Sequence, residues 1–382
     1  MLNRLAVQAL LLNCLSNHFC IRSTVATFSD HPTIHTAAAG QPPSFPRLVA
    51  DIGGSNARFG WIAAPGAAVA QVQTLAVPDF AGPAEAAQAY LAGLAGLLAA
   101  QGQRYQLPRQ AAFAVATAVG GDHINFTNSH WDFSRTAVQA MLGLDGLLML
   151  NDFEALALSL PRLGVDQSRR HPEPHAGAAA ADPGRPGRVL AVVGPGTGLG
   201  VGAVVATRSG WVALPGEGGH ATLAPADDLE SAVLAAVRRH YAHVSAERLL
   251  SGIGLPLLHQ ALGQVQGTPP VALSSAQIVA AGADGSDPLC SQTLDLFCAL
   301  LGGFAGNVAL TLGARGGLFI GGGIVPRFAD RFFASAFRAR FEAKGRFASY
   351  LAAIPTALIT DTLAALSGAA LAIEQQMALT GG

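Results

Sequence analysis

Asp51 stands at the end of the apolar run Arg47–Ile52, and the chain then reads Gly53, Gly54, Ser55, Asn56. Two more glycine turns follow, Gly196-Thr197-Gly198 and Gly321-Gly322-Gly323. A phosphate can be approached closely only by backbone N–H groups that carry little side chain, hence by glycine. No Gly-Lys-Ser/Thr completes any of the three, so none is a Walker A loop. Taken singly, each turn reads as a plain hairpin. Together, with hydroxyls at Ser55 and Thr197 and an acid at Asp51, they point to a nucleotide. A carboxylate beside phosphates repels them unless a cation lies between. A Mg²⁺ ion held by Asp51, through water, resolves that conflict.

A second set of polar residues lies outside the glycine turns. Asn151 and Asp152 end the apolar strand Gly146–Leu150, and Glu154–Leu160 follows with helical character. An acid there is either a helix N-cap or a general base at a cleft edge, and the local sequence weighs these equally. Glu217 and His220 sit in Leu214–Pro225, a loop rich in glycine. They read as a solvated surface pair, or as a polyol site in which the carboxylate accepts two hydroxyls and the imidazole adds one bond. Two such residues make a weak case for a metal. Glu247 falls in the first turn of a helix expected to begin near Ser245, where the helix dipole alone explains an acid. Asn128 lies near Trp131; the tryptophan reads as core and the asparagine as a sugar contact.

These residues need strands and helices to hold them. Residues 47–53 and 57–62 read as paired strands, and 188–207 repeats the strand, glycine turn, strand arrangement. Gly198–Ala203 imitates a dinucleotide fingerprint, but the residues after it are β-branched and turn-punctuated, so a hairpin is expected and the dinucleotide reading is rejected. Further strands are expected at 111–117, 146–151 and 316–325. Helices are expected at 83–101, 228–244, 245–262, near 296–312, and as one amphipathic helix over 327–345. The repeat of the glycine-turn unit suggests two similar α/β halves facing a shared cleft.

The chain has 382 residues, 51% hydrophobic and 12% charged, enough for two domains with real cores. A formal net charge of −1 offers no basic excess for nucleic acid or for a membrane surface. Four cysteines without a CxxC pair fit a reducing cytoplasm and neither a disulfide framework nor a zinc knuckle. Residues 1–46 read as a disordered extension, their apolar start lacking a small-residue cleavage site. Residues 166–188, rich in Pro, Gly, Ala and charge, read as a mobile surface loop. The apolar stretch 296–314 reads as a buried helix, since Asn307 interrupts it and charges flank it.

Eight stretches, in order, carry a resemblance: LVADIGGSNAR, TNSHWDFS, NDFEALALSLP, VVGPGTGLGVG, LPGEGGHATLAP, HVSAERLLSGIGL, NVALTLGARGGLFIGGGIVPRF and FEAKGRF with IPTALI. They cover roughly residues 47–370, and the sequence resembles the bacterial glucokinase family of the actin-like superfamily. The resemblance implies two RNase H-like α/β domains around a central cleft. One would be small (47–160, completed by a C-terminal helix near 362–382) and one large (161–361, carrying the 166–188 loop). It implies ATP-dependent phosphorylation of the glucose 6-hydroxyl. Asp152 would be the base, and Asn128, Asn151, Glu217, His220 and Glu247 would hold the sugar. Gly53, Gly54, Ser55 and Asn56 would form the first phosphate turn and Gly196, Thr197 and Gly198 the second, with Gly322 and Gly323 near the adenosine and Mg²⁺ near Asp51. Ser55 replaces the usual threonine but keeps the hydroxyl. A kinase for another hexose, or a non-catalytic actin-like ATP-binding protein, are the rival readings. A homodimer is the base-rate expectation for such enzymes.

Overall fold

Alternation decides which way Asp51 points. In β1 (Arg47–Ile52), Leu48, Ala50 and Ile52 enter one core, and Val49 enters another on the opposite face. Successive side chains alternate, so Asp51 shares the face of Val49. The computed structural model describes residues 45–126, 129–172, 185–268 and 271–380. The expectations placed on residues 1–44, on Asn128 and on 173–184 fall outside these.

The first sheet runs β3 (Ala70–Ala76), β2 (Asn56–Ile62), β1, β4 (Gln110–Val115), β7 (Gly146–Asn151). β1, β2 and β3 are antiparallel neighbours, whereas β4 and β7 continue parallel to β1. α1 (Pro83–Ala100) covers one face with Tyr90, Leu91 and Leu94. A small hairpin, β5 (His123–Asn125) with β6 (Asp132–Ser134), and α2 (Arg135–Met141) complete this half.

The second sheet repeats the pattern. Its order is β11 (Gly210–Leu214), β10 (Leu199–Thr207), β9 (Val189–Pro195), β12 (Gly317–Ile320), β13 (Thr356–Ile359), β8 (Ser168–Arg170). β9, β10 and β11 are antiparallel neighbours, and β12 and β13 run parallel to β9. The duplication expected for the glycine-turn hairpins thus extends to five strands in the same order and sense. β10 is a strand, so the dinucleotide imitation at Gly198–Ala203 is a hairpin as expected. β8 is an added edge strand, pairing antiparallel with β13 inside the segment expected to be loop.

Between the sheets lie α3 (Asp152–Ser159) and α11 (Ala364–Thr380). Their residues share one core with Val49, Ala112 and Ala114 of the first sheet and Leu190, Val192 and Val204 of the second. The C-terminal helix packs against β1, β2 and β4 of the first sheet and against α3, and its Gln375 bonds the Trp211 backbone of β11. The two helices cross closely at Gly368, where a Cβ would stand 1.6 Å from the Ala155 carbonyl oxygen. The chain crosses between the sheets near 160–168 and 359–364. Gln167 ties the crossings together: its carbonyl accepts from the Thr360 N–H at 2.9 Å and its Nε2 donates to Asp361 at 2.6 Å.

The outer face of the second sheet carries α4 (Asp228–Arg238), α5 (Leu255–Val265), α6 (Ser275–Ala283), α7 (Pro288–Leu312), α8 (Ala329–Ala334), α9 (Phe337–Glu342) and α10 (Ala348–Ala352). α7 is the long apolar helix, and 72% of its most apolar window is buried inside the protein, as its composition suggested. Cys290 and Cys298 on it are free and buried. Three expected helices are corrected. The amphipathic stretch 327–345 breaks at Ser335, whose ψ of 176° is extended, into α8 and α9. The helix expected from Ser245 begins only at Leu255, and 228–244 is helical only to Arg238.

Candidate active site

The helix α3 begins where β7 ends, and its first two positions divide two roles that the sequence left merged. Asn151 is the N-cap: its Oδ1 accepts from the N–H groups of Phe153 at 2.9 Å and Glu154 at 3.4 Å. Its Nδ2 donates to the Thr117 carbonyl at 3.2 Å, which leaves one amide N–H for other use. Capping by Asn151 releases Asp152 from that task. Asp152 Oδ1 accepts from the Phe153 N–H at 2.9 Å. No hydrogen bond to Oδ2 is found among the described residues.

Burial pushes the Asp152 carboxyl up to about 6; the Asp51 charge adds to this, backbone N–H bonds at Phe153 and Asp152 oppose it, and Glu217 makes the smallest contribution upward. Carboxylates from β1, from α3 and from the loop after β11 are thus within electrostatic reach of one another, across both sheets. Asp51 faces Arg58 on β2, as the register Asp51↔Arg58 requires, and accepts from its Nη1 at 3.1 Å. Burial still holds the Asp51 carboxyl above the usual range, with Arg58 pulling it down. Arg58 went unnoticed in the sequence, although counting across the hairpin from Ile52↔Ala57 finds it.

Phe153 is the other residue missed. Gly194 and Gly200 are cross-strand partners on β9 and β10, and a Cβ on them would come within 2.5 and 2.1 Å of the Phe153 ring. A Cβ on Gly202 would lie 2.8 Å from the Phe153 carbonyl oxygen. These glycines form a trough for the residue next to Asp152. The second glycine turn is therefore built on the hairpin against which that aspartate is braced.

The remaining sequence candidates fall into two groups. Glu217, His220 and Glu247 converge: the His220 ring lies 4.0 Å from a Glu217 oxygen and 3.8 Å from a Glu247 oxygen, beyond direct hydrogen bonding. Glu247 is not in a helix. It sits in a turn whose N–H donates to the Gly219 carbonyl at 2.9 Å, and its second oxygen accepts from the Leu199 N–H at 2.9 Å. The sugar-type cluster is thus anchored on the first residue after the second glycine turn. Glu217 and His220 are largely exposed, so their polar ends face open space.

The glycine turns themselves separate by physical need. The Gly196–Gly198 turn closes through Gly196 N–H to the Gly198 carbonyl at 2.9 Å. Gly322 takes φ +75° and would clash with the Pro195 carbonyl if it bore a Cβ, so the second and third turns lie side by side. A Cβ on Gly198 would meet the Glu247 carboxylate, which would have to move aside. Gly196 and Gly323 have nothing within 4 Å, and Gly53 meets only the Asn56 carbonyl at 3.6 Å. Neither strain nor internal crowding requires glycine at these three. Gly54, Ser55 and Asn56 lie in the same turn, with Ser55, Asn56 and Thr197 exposed. Among the described residues no three His, Cys, Asp or Glu side chains are grouped to hold a metal ion.

Two halves of the same five-strand order, with glycine turns after the central strands and a raised carboxyl at a helix start, define a phosphotransferase of the actin-like ATPase fold. The family model for glucokinase matches residues 48–376. A glucokinase of Aromatoleum aromaticum is 46% identical over 89% of this chain and 98% of its own length. A glucokinase of Chromobacterium violaceum is 46% identical over 89% and 93%. Among solved structures, glucokinase from an Antarctic psychrotroph superposes with a TM-score of 0.76 at 35% identity, covering 87% of this chain and 99% of that one. The chain belongs to the glucokinase family. The fold also extends to more remote proteins, such as a Streptomyces griseus ROK family glucokinase at 17% identity and TM-score 0.53, covering 87% and 100%.

Proposed function

We propose that the chain transfers the γ-phosphoryl group of ATP to the 6-hydroxyl of D-glucose, with Asp152 as general base. The observation that carries this is the Asp152 carboxyl: half-buried, pushed up to about 6, and with one oxygen unengaged among the described residues. At neutral pH such a group is mostly ionised, yet it is a better proton acceptor than an ordinary surface carboxylate. Glucose hydroxyls satisfy Glu217, His220, Glu247 and the second N–H of Asn151. Asn128 is assigned to the same set by resemblance. The 6-oxygen attacks the γ-phosphorus in line as Asp152 takes its proton. The new O–P bond forms while the bond to the β-phosphate oxygen breaks, and ADP carries away that electron pair. Positioning supplies most of the rate, and Phe153 in its glycine trough holds the base in register with the phosphate turn.

Gly53, Gly54, Ser55 and Asn56 form one phosphate turn and Gly196, Thr197 and Gly198 the other, with Gly322 and Gly323 at the nucleoside. The donor set fits Mg²⁺, which needs few protein ligands because it keeps water and takes phosphate oxygens. Asp51, with Arg58 on one oxygen, would hold such an ion through water; the ion offsets phosphate charge. The free, buried thiols of Cys290 and Cys298 support a reducing compartment such as the cytoplasm. Coupled ADP release across a panel of hexoses tests the reading. Glucose should give the highest kcat/KM. A preference for mannose, fructose or an amino sugar would overturn the substrate, and no hexose-dependent release would overturn the activity.

A further inference from the structure

The carboxyl ends of β9 and β12 carry the glycine turns, and their amino ends open on a different cavity of about 1100 Å³. Four arginines line it: Arg170 of β8, Arg185 and Arg188 before β9, and Arg315 after α7. Among the described residues no aspartate or glutamate lines it. None of the four guanidinium groups has a carboxylate partner among the described residues, whereas Arg162, Arg169, Arg331, Arg338 and Arg340 all do. The Arg188 Nε is buried without a hydrogen-bond partner among the described residues. A buried guanidinium donor left unmatched is unfavourable, and a bound anion would satisfy it. Arg315 rests over the Tyr350 ring, 5.8 Å from its centroid, which holds its charge at the cavity wall.

We propose that this cavity is a second ligand site, one that binds a small organic anion bearing two or more phosphate groups. Guanidinium forks match phosphate oxygens in pairs, and four of them suit more than one phosphate. Leu163, Phe319, Tyr350 and Ile354 give the same cavity an apolar wall for the organic body. Its volume lies just above the usual range for small-molecule sites. A nucleic acid is disfavoured, because the chain's net charge of −1 supplies no extended basic surface.

The site is distinct from the catalytic one. β9 spans seven residues between Arg188 and Gly196, about 20 Å of extended chain. It is also connected to it. β9 runs from this cavity to the second phosphate turn. The helix that begins at Asp152 ends in the 3₁₀ turn Leu160–Arg162, whose Leu160 and Pro161 line the cavity. Occupancy would therefore bear on both the base and the phosphate turn.

The test is calorimetric titration of the full chain with inorganic tripolyphosphate, with AMPPNP and glucose in excess to fill the catalytic site. One binding event per chain is expected, weakened roughly tenfold or more in R170A/R315A. Both arginines are exposed, and ADP release in that variant should stay within about twofold of the parent, the precision of such comparisons. Ala353→Trp, which narrows the cavity without touching charge, should also weaken binding. No heat with the catalytic site filled, or unchanged affinity in both variants, overturns the proposal. Equal binding of citrate and single phosphate overturns the assignment to a multiply phosphorylated ligand. Tripolyphosphate binding in a chain that releases no ADP would sink the proposed activity and leave this site standing.

Discussion

Replacing Asp51 by Asn should move the acid limb of the kcat/KM profile to lower pH. In the parent that limb is set by Asp152, pushed up to about 6, so kcat/KM should fall about tenfold per pH unit below it. Asp51 is the largest charge contribution to that elevation, second only to burial. Ile52, Val115 and Asn151 are level across β1, β4 and β7, which places Asp51 and Asp152 about two strand spacings, or roughly 10 Å, apart along the sheet. At that separation a unit charge contributes about 0.4 kcal/mol in water and about 1.7 kcal/mol at an effective dielectric constant near 20. The expected displacement is therefore about 0.3 to 1.2 pH units downward. Arg58, freed from Asp51, adds a positive charge and acts in the same direction. The assay is kcat/KM for glucose at saturating nucleotide and Mg²⁺ from pH 4.5 to 8, read for the position of the limb and not its height. A limb that stays in place, or moves up, would refute the electrostatic reasoning. Glu217→Gln should move it in the same direction by less.

Three further outcomes follow from the same geometry. The folded state favours protonated Asp152, so its ionisation destabilises the protein as pH rises through about 6. Asp152→Asn should therefore melt higher than the parent at pH 8, by up to roughly 3 kcal/mol, and the gain should vanish below about pH 4. Gly200→Ala drives a methyl into the Phe153 ring and should lower stability by about 1–3 kcal/mol along with kcat, read by thermal melting and turnover. Glu247→Gln keeps an acceptor for the Leu199 N–H, so it should raise the glucose KM roughly tenfold with little change in melting, whereas Glu247→Ala should lower both affinity and stability.

Sequence pattern revealed the glycine-turn hairpins because two signals coincide there, β-branched alternation and clustered glycine. It missed the break at Ser335 because the apolar spacing continues through it: Phe332, Phe333, Phe337 and Phe341 all stay buried on either side. The break is set by α7, where Gly302 and Gly306 let the backbone of Phe337 and Phe341 approach. The delayed start of α5 has a similar cause. Residues 245–252 are held by the 219–223 loop and by Gly196, which accepts from the Gly252 N–H at 2.8 Å. Pro256 in the first turn of α5 was the local signal for its true start. Within the site, residue types made Asp152, Glu217, His220 and Glu247 candidates, each against a purely structural alternative. The division of labour between Asn151 and Asp152 needed the hydrogen bonds, since both residues can cap. Phe153 carried no chemical signal, and its role emerges only from three glycines some 40 residues away in sequence.

The central claim is that the Asp152 carboxylate takes the proton of the attacking hydroxyl. Glucose-dependent ADP release by Asp152→Ala, alongside glucose affinity from equilibrium titration, tests it most directly. The account predicts a loss in kcat of about 10² or more, with glucose affinity held within roughly tenfold. Near-normal turnover in that variant would contradict it.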